Sequence, residues 1–155
     1  MSEARITEQL RLRLDEVSLV YEQLPITLER ARKVIDRGPW NTFFHDQATA
    51  LKSQLQALRA AALVWGKRTR PFFSPEVDEQ LNEALHAVRS RRSASMEDKV
   101  RHVVSILRAR VLTRLEEAID LAMSIREHDL ALRLRDLHHD ERSQQKAMEE
   151  AIAGA

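Results

Sequence analysis

Glu141 is the residue around which a chemistry can be built. It belongs to a stripe in the last helical stretch, Leu130, Leu134, Leu137, Glu141, Gln144, Met148 and Ile152. Gaps of three and four place all seven on one helical face. Two polar residues therefore interrupt an apolar face. A carboxylate carried into a core needs a metal, a hydrogen-bonding partner or water. His138 and His139 stand beside it in sequence. Adjacent residues on a helix point about 100° apart, so the two imidazoles do not readily share one ion. A partly exposed histidine pair is the reading we favour. His86, His102 and His128 have no partner at ligand spacing and read as surface.

Other chemistries lack their parts. No Ser-His-Asp order, glycine-rich phosphate loop or Walker motif appears, and the chain has three glycines in 155 residues. It has no cysteine, which excludes disulfides, thiolate chemistry and cysteine-based zinc sites. The formal net charge is +1, so no global argument for nucleic acid exists. Charge is uneven, however. Residues 89–114 carry Arg89, Arg91, Arg92, Lys99, Arg101, Arg108, Arg110 and Arg114 against Glu97 and Asp98. Arg89, Arg91, Arg92, Arg101 and Arg110, with Lys67, Arg68 and Arg70, form a candidate anion- or nucleic-acid-binding stretch. Aromatics for stacking are missing from residues 89–114 themselves, which favours ordinary solvated surface and argues against nucleic acid.

These residues must be positioned by helices. Apolar residues make up 43% of the chain and charged residues 32%, with four prolines, a mix that reads as all-α. Residues 1–155 are expected to form one domain. A first helix spans about 4–36, with Leu10, Leu14, Val17, Tyr21, Leu24 and Leu28 as its stripe. Pro25 is expected to kink or split it, and Arg37-Gly38-Pro39 to stop it. A second spans about 40–65, with Phe44, Ala48, Leu51, Leu55, Leu58, Ala62 and Trp65 at 4-3 spacing; Gly66 ends it. After the basic connector KRTRPFFS, Ser74-Pro75-Glu76 starts a short helix over about 75–88. Ser95 and Asp98 suggest a capping box for a fourth helix over about 96–126, and a fifth covers about 129–152. The 30 or so residues between the long pairs exceed any tight hairpin and can cross the length of a bundle. That is the one-crossover topology of ferritin-like four-helix bundles.

The stretch LEEAIDLAMSIREHDLALRLRDLHHDERSQQKAMEEAI resembles the last two helices of the ferritin-like superfamily. It is similar to bacterioferritin and to YciF-type stress proteins. YEQLPITLERA and FFHDQATALKSQLQALRAAALVWG add support from the first pair. The resemblance implies a bundle holding two irons through a Glu from each of two helices and Glu-x-x-His from each of the others. Taken residue by residue, this set is mostly missing. Glu141 matches, but Gln144 replaces the histidine. The third helix offers Arg108 where the family has Glu. The second offers His45, with Gln47, Ala48 and Thr49 at the nearby Glu positions, and the first offers Val17, with Glu16 and Glu22 off the stripe. A two-iron site needs a carboxylate-rich shell, and an arginine in it repels the metals.

Arg108 lies beside its stripe, one turn from Val104, Val111 and Leu112, and points partly inward. We therefore expect an Arg108–Glu141 pair, with Gln144, in the core in place of a metal. No catalytic residue, cofactor or metal is expected, and the protein reads as a non-enzymatic structural or interaction module, stress-related by resemblance. The alternatives are a residual metal site of Glu141 with His45, His138 or His139, and anion binding through the arginine stretch. A second stripe on the fourth helix, Val103, Ile106, Leu112, Ile119 and Met123, and the aromatics Trp40, Phe43, Phe44, Phe72 and Phe73 favour a homodimer. An unidentified protein partner is also open. The charged opening MSEARITEQLRLRLDE does not read as a secretory signal. No apolar run reaches the roughly 18 residues of a membrane span, so a cytoplasmic location without membrane attachment is expected.

Overall fold

The computed structural model describes residues 2–35, 38–71, 73–90 and 96–154. Arg37, Phe72, Arg91, Arg92 and Ser95, and the side chain of Ile152, lie outside the described residues, and so do the expectations placed on them. Among the described residues five helices follow in order: α1 (Glu3–Val34), α2 (Gly38–Val64), α3 (Pro75–Ser90), α4 (Met96–Ser124) and α5 (His128–Gly154). The long ones, α1, α2, α4 and α5, form the bundle. α1 packs on α2 and α4, and α5 packs on α4 and α2. α3 lies outside this square, against α1 and α4, and carries the chain across the bundle.

The periodic stripes form the core. Leu10, Leu14, Val17, Tyr21, Leu24 and Leu28 of α1 are buried, as are Phe44, Leu51 and Leu58 of α2, Val104, Leu107, Val111 and Leu115 of α4, and Leu130, Leu134 and Leu137 of α5. Ion pairs fix the directions. Arg13 reaches Glu117 at 3.2 Å, and Glu16, further along α1, meets Arg110 at 2.6 Å, earlier along α4. α1 and α4 are therefore antiparallel.

One expectation about a helix end is corrected, and of the kink or split expected at Pro25 the split is excluded. Pro25 does not split α1, which runs through it to Val34. Proline forfeits one backbone bond, but Leu24, Pro25, Thr27 and Leu28 are all buried, and packing on this turn holds the helix together. Gly38-Pro39 opens α2 rather than closing α1, in keeping with the tolerance of a first helical turn for proline. Asn41 Nδ2 then donates to the Arg32 carbonyl at 3.1 Å, tying the start of α2 to the end of α1. Ser2 caps α1, accepting from Arg5 N at 3.3 Å.

The two other long-helix ends share one motif. At the end of α2, Lys67 N donates to the Ala62 carbonyl and Gly66 N to that of Leu63, with Gly66 at φ 80°. At the end of α4, Glu127 N donates to Ala122 and Arg126 N to Met123, with Arg126 at φ 61°. Both are Schellman caps, which need a left-handed residue. One uses glycine and the other an arginine.

Candidate functional site

Arg108 and Glu141 meet in the middle of the bundle, and neither has any exposed surface. Arg108 Nη1 lies 2.7 Å from Glu141 Oε2 and 2.9 Å from Oε1. Two glutamines of α2 complete the contact. Arg108 Nε donates to Gln47 Oε1 at 2.8 Å, and Nη1 reaches Gln54 Oε1 at 3.0 Å. Gln54 Nε2 in turn donates to Glu141 Oε1 at 3.1 Å. From α1, the Tyr21 hydroxyl donates to the same oxygen at 2.9 Å. Each long helix thus contributes to one network at the core.

The composition of this network decides its chemistry. A buried guanidinium and a buried carboxylate cancel in charge, and the amides and phenol bond to both. Burial, reinforced by the adjacent Glu141 carboxylate, pushes the Tyr21 hydroxyl well above its ordinary value. The phenol therefore stays a donor. Arg108 Nη2 is buried with no hydrogen-bond partner among the described residues. A two-metal centre does not fit. It would have one carboxylate, two amides and a phenol as donors, with a fixed positive charge among them.

The other candidate ligands are not brought to Glu141. His45 is 58% exposed, with Nδ1 3.7 Å from Glu29. His138 Nε2 faces Glu116 at 3.1 Å, and His139 is exposed. Among the described residues, no three His, Asp or Glu side chains are grouped to hold a metal ion. Gln144 is half-buried and, among the described residues, takes no part in the network, so Gln47 and Gln54 fill the place expected for it.

Among the described residues, the arginines of this stretch take separate surroundings. Arg110 turns to Glu16, and Arg101 pairs with Asp98 at 3.4 Å and lies over the Trp40 ring, 5.9 Å from its centroid. Arg89 is exposed.

A second buried cluster was not expected from the sequence. Glu16, placed off the stripe by periodicity, is 6% exposed. It pairs with Arg110 and with Arg114, and accepts from Ser74 Oγ at 3.3 Å. Burial works against its ionisation, but the bonds from Arg114 and Arg110 outweigh that and hold the carboxyl below its ordinary value. Next to it, Asp15 accepts from the Arg70 backbone N–H at 2.8 Å. Burial raises the Asp15 carboxyl, partly offset by that bond. The two carboxylates fasten the basic connector to α1.

The second stripe of α4 is largely used within the chain. Val103 is buried, Ile106, Leu112 and Ile119 are half-buried, and α3 packs on this helix. Trp40 and Phe43 pack edge to face at 5.8 Å, beside buried Phe44.

No protein-family model matches the chain, and no curated protein matches it in sequence. Solved structures do share its fold. The E. coli stress protein YciF superposes with a TM-score of 0.82 at 13% identity, over 95% of this chain and 94% of that one. YcfI from Rhodopseudomonas palustris, for which a structural role is suggested, does so with a TM-score of 0.81 at 12% identity, over 93% and 92%. At such identities the likeness establishes a helical bundle of this type.

Proposed function

We propose that the chain is a non-enzymatic structural or interaction module of the stress-protein kind, on a ferritin-like scaffold whose centre carries an ion pair in place of metals. The observation that carries this reading is the fully buried Arg108, 2.7 Å from Glu141 and held by Gln47 and Gln54. A guanidinium offers five donors and a fixed charge. It links α4 to α5 and α2 from within, as bridging metals link helices in the two-iron bundles. The descriptions of the two similar structures, a stress protein and one with a suggested structural role, point the same way.

The test is stability with and without metal. A ligand that binds the native state raises the unfolding free energy in step with its concentration. The unfolding midpoint is expected to be the same in chelator and in millimolar ferrous iron, manganese or zinc. A rise with metal that vanishes in Glu141→Ala would overturn the reading.

A further inference from the structure

Arg30 and Lys33 of α1 and Arg89 of α3 line one groove of about 380 Å³, together with Val34, Leu85 and Val88. It lies where the last turns of α1 and α3 pack together. Val88 is buried, Val34 and Leu85 are half-buried, and the three cations are exposed. The groove thus has an apolar floor and a cationic rim. No carboxylate lines it among the described residues.

None of the three cations forms an ion pair or a side-chain hydrogen bond among the described residues. Arg11, Arg13 and Arg32, on the same helix as Arg30, do find carboxylates, in Glu8, Glu117 and Glu29. Unmatched positive charges collected beside one apolar strip favour a negative ligand with an apolar part. Lys33 and Arg89 also suit the carbonyl ends of their helices, but that effect needs no apolar side chains beside them. Arg30 and Lys33 lie on α1, outside the arginine stretch of residues 89–114.

We infer that this groove binds a single-chain amphipathic anion, a carboxylate with an acyl tail. The two guanidinium groups, whose forked donors match a carboxylate, and the Lys33 ammonium hold the head. The tail lies on Val34, Leu85 and Val88 and takes their exposed surface out of water. The volume falls within the roughly 300–1,000 Å³ of small-ligand sites. Six lining side chains fall short of the roughly 20–30 residues a side in a stable protein contact. The groove is separate from the Arg108–Glu141 centre, so the inference goes beyond the structural-module reading, and metal content does not bear on it.

The experiment is a titration of the full chain with sodium decanoate, followed by proton–nitrogen correlation NMR in about 20 mM salt, where surface charges are weakly screened. Amides of residues 30–34 and 85–89 are expected to shift and saturate. Affinity is expected to rise roughly two- to fourfold per methylene from hexanoate through octanoate to decanoate, since one fully buried CH₂ is worth about fourfold. Sodium acetate has the charge without the tail, and 1-octanol the tail without the charge; neither is expected to move these amides at the same concentration. Arg30→Glu/Lys33→Glu is expected to weaken decanoate binding about tenfold or more. Leu85→Asn is expected to flatten the dependence on tail length. The amide spectra of both variants show whether the fold is kept. Shifts that are absent or scattered over other helices, octanol binding as well as octanoate, or a folded charge variant that binds like wild type would each overturn the inference. Cosedimentation with phosphatidylglycerol vesicles, with no response to free decanoate, would assign the groove to a membrane surface and overturn it too.

Discussion

Arg108 and Glu141 approach within 2.7 Å, from α4 and α5, with no exposed surface on either side chain. Such a pair gains little over apolar packing, because both ions give up their hydration. Its effect is greatest when one partner is lost. Arg108→Ala leaves a buried carboxylate, and Glu141→Ala a buried guanidinium, and each is expected to cost about 3–5 kcal/mol of stability. Arg108→Met/Glu141→Leu removes both charges and is expected to be less destabilised than either single variant. Urea unfolding of the three measures this. A double variant as unstable as the two singles combined would show that the pair is not coupled.

Tyr21 is the one tyrosine of the chain, so absorbance near 295 nm reports on it alone. Its hydroxyl is raised well above the usual value of 10.0 by burial and by Glu141. No phenolate signal is expected as pH passes 10 in the folded protein, whereas the unfolded chain ionises there. An acid with a raised folded value holds its proton more tightly when native. Stability from this group is therefore complete below pH 10 and declines above it, and the phenolate should appear together with unfolding. Titration near 10 with the helices intact would show that the hydroxyl is not buried against Glu141.

Glu16 and Asp15, neighbours in α1, shift in opposite directions, and their pH effects have opposite signs. Glu16 lies below its ordinary 4.5, so its contribution is present above that pH and is lost as pH falls through the lower folded value. Asp15 lies above its ordinary 3.8, so its charge is a burden at neutral pH. Asp15→Asn keeps an acceptor for Arg70 N and is expected to be at least as stable as wild type at pH 7, with any gain vanishing below pH 3.8. Glu16→Gln is expected to lose about 1–3 kcal/mol at pH 7, since Arg110 and Arg114 lose their shared carboxylate. Thermal unfolding across pH 3–7 distinguishes the two. Equal profiles for the two variants would contradict the opposite shifts.

Arg126 occupies the left-handed position of the cap between α4 and α5. A side chain there costs about 1–2 kcal/mol, which glycine avoids, while glycine gives up some of that through its freer unfolded chain. Arg126→Gly is expected to raise stability by about 0.5–1 kcal/mol. Gly66→Ala, at the equivalent position after α2, is expected to lower it. Chemical unfolding of both variants checks this, and a stabilised Gly66→Ala would contradict it.

Much of the bundle is legible because its stripes are long and regular, and both Glu141 and Arg108 stand out against them. The remainder of the central network is not, for chemical reasons. Gln47 stands out only as a glutamine where the resemblance expects a glutamate, Gln54 reads as an ordinary polar helix residue, and Tyr21 reads as one more apolar member of its stripe. What marks them is partnership across helices, which periodicity within one helix does not encode. Glu16 escaped for a related reason. It lies one residue from Val17 and so points toward α4 rather than the axis. It becomes buried because Ser74 and the connector close over it. Gly38-Pro39 carries signals for both a helix end and a helix start, and only the neighbouring Asn41–Arg32 contact shows which applies.

The proposed function puts the Arg108–Glu141 pair where two-iron bundles hold their metals. Inductively coupled plasma mass spectrometry tests it most directly, on wild type and Glu141→Ala after incubation with ferrous iron, manganese and zinc under non-oxidising conditions. The pair predicts only traces of tightly held metal, far below one ion per chain, because its guanidinium charge repels cations. One or two ions per wild-type chain, lost in Glu141→Ala, would contradict it.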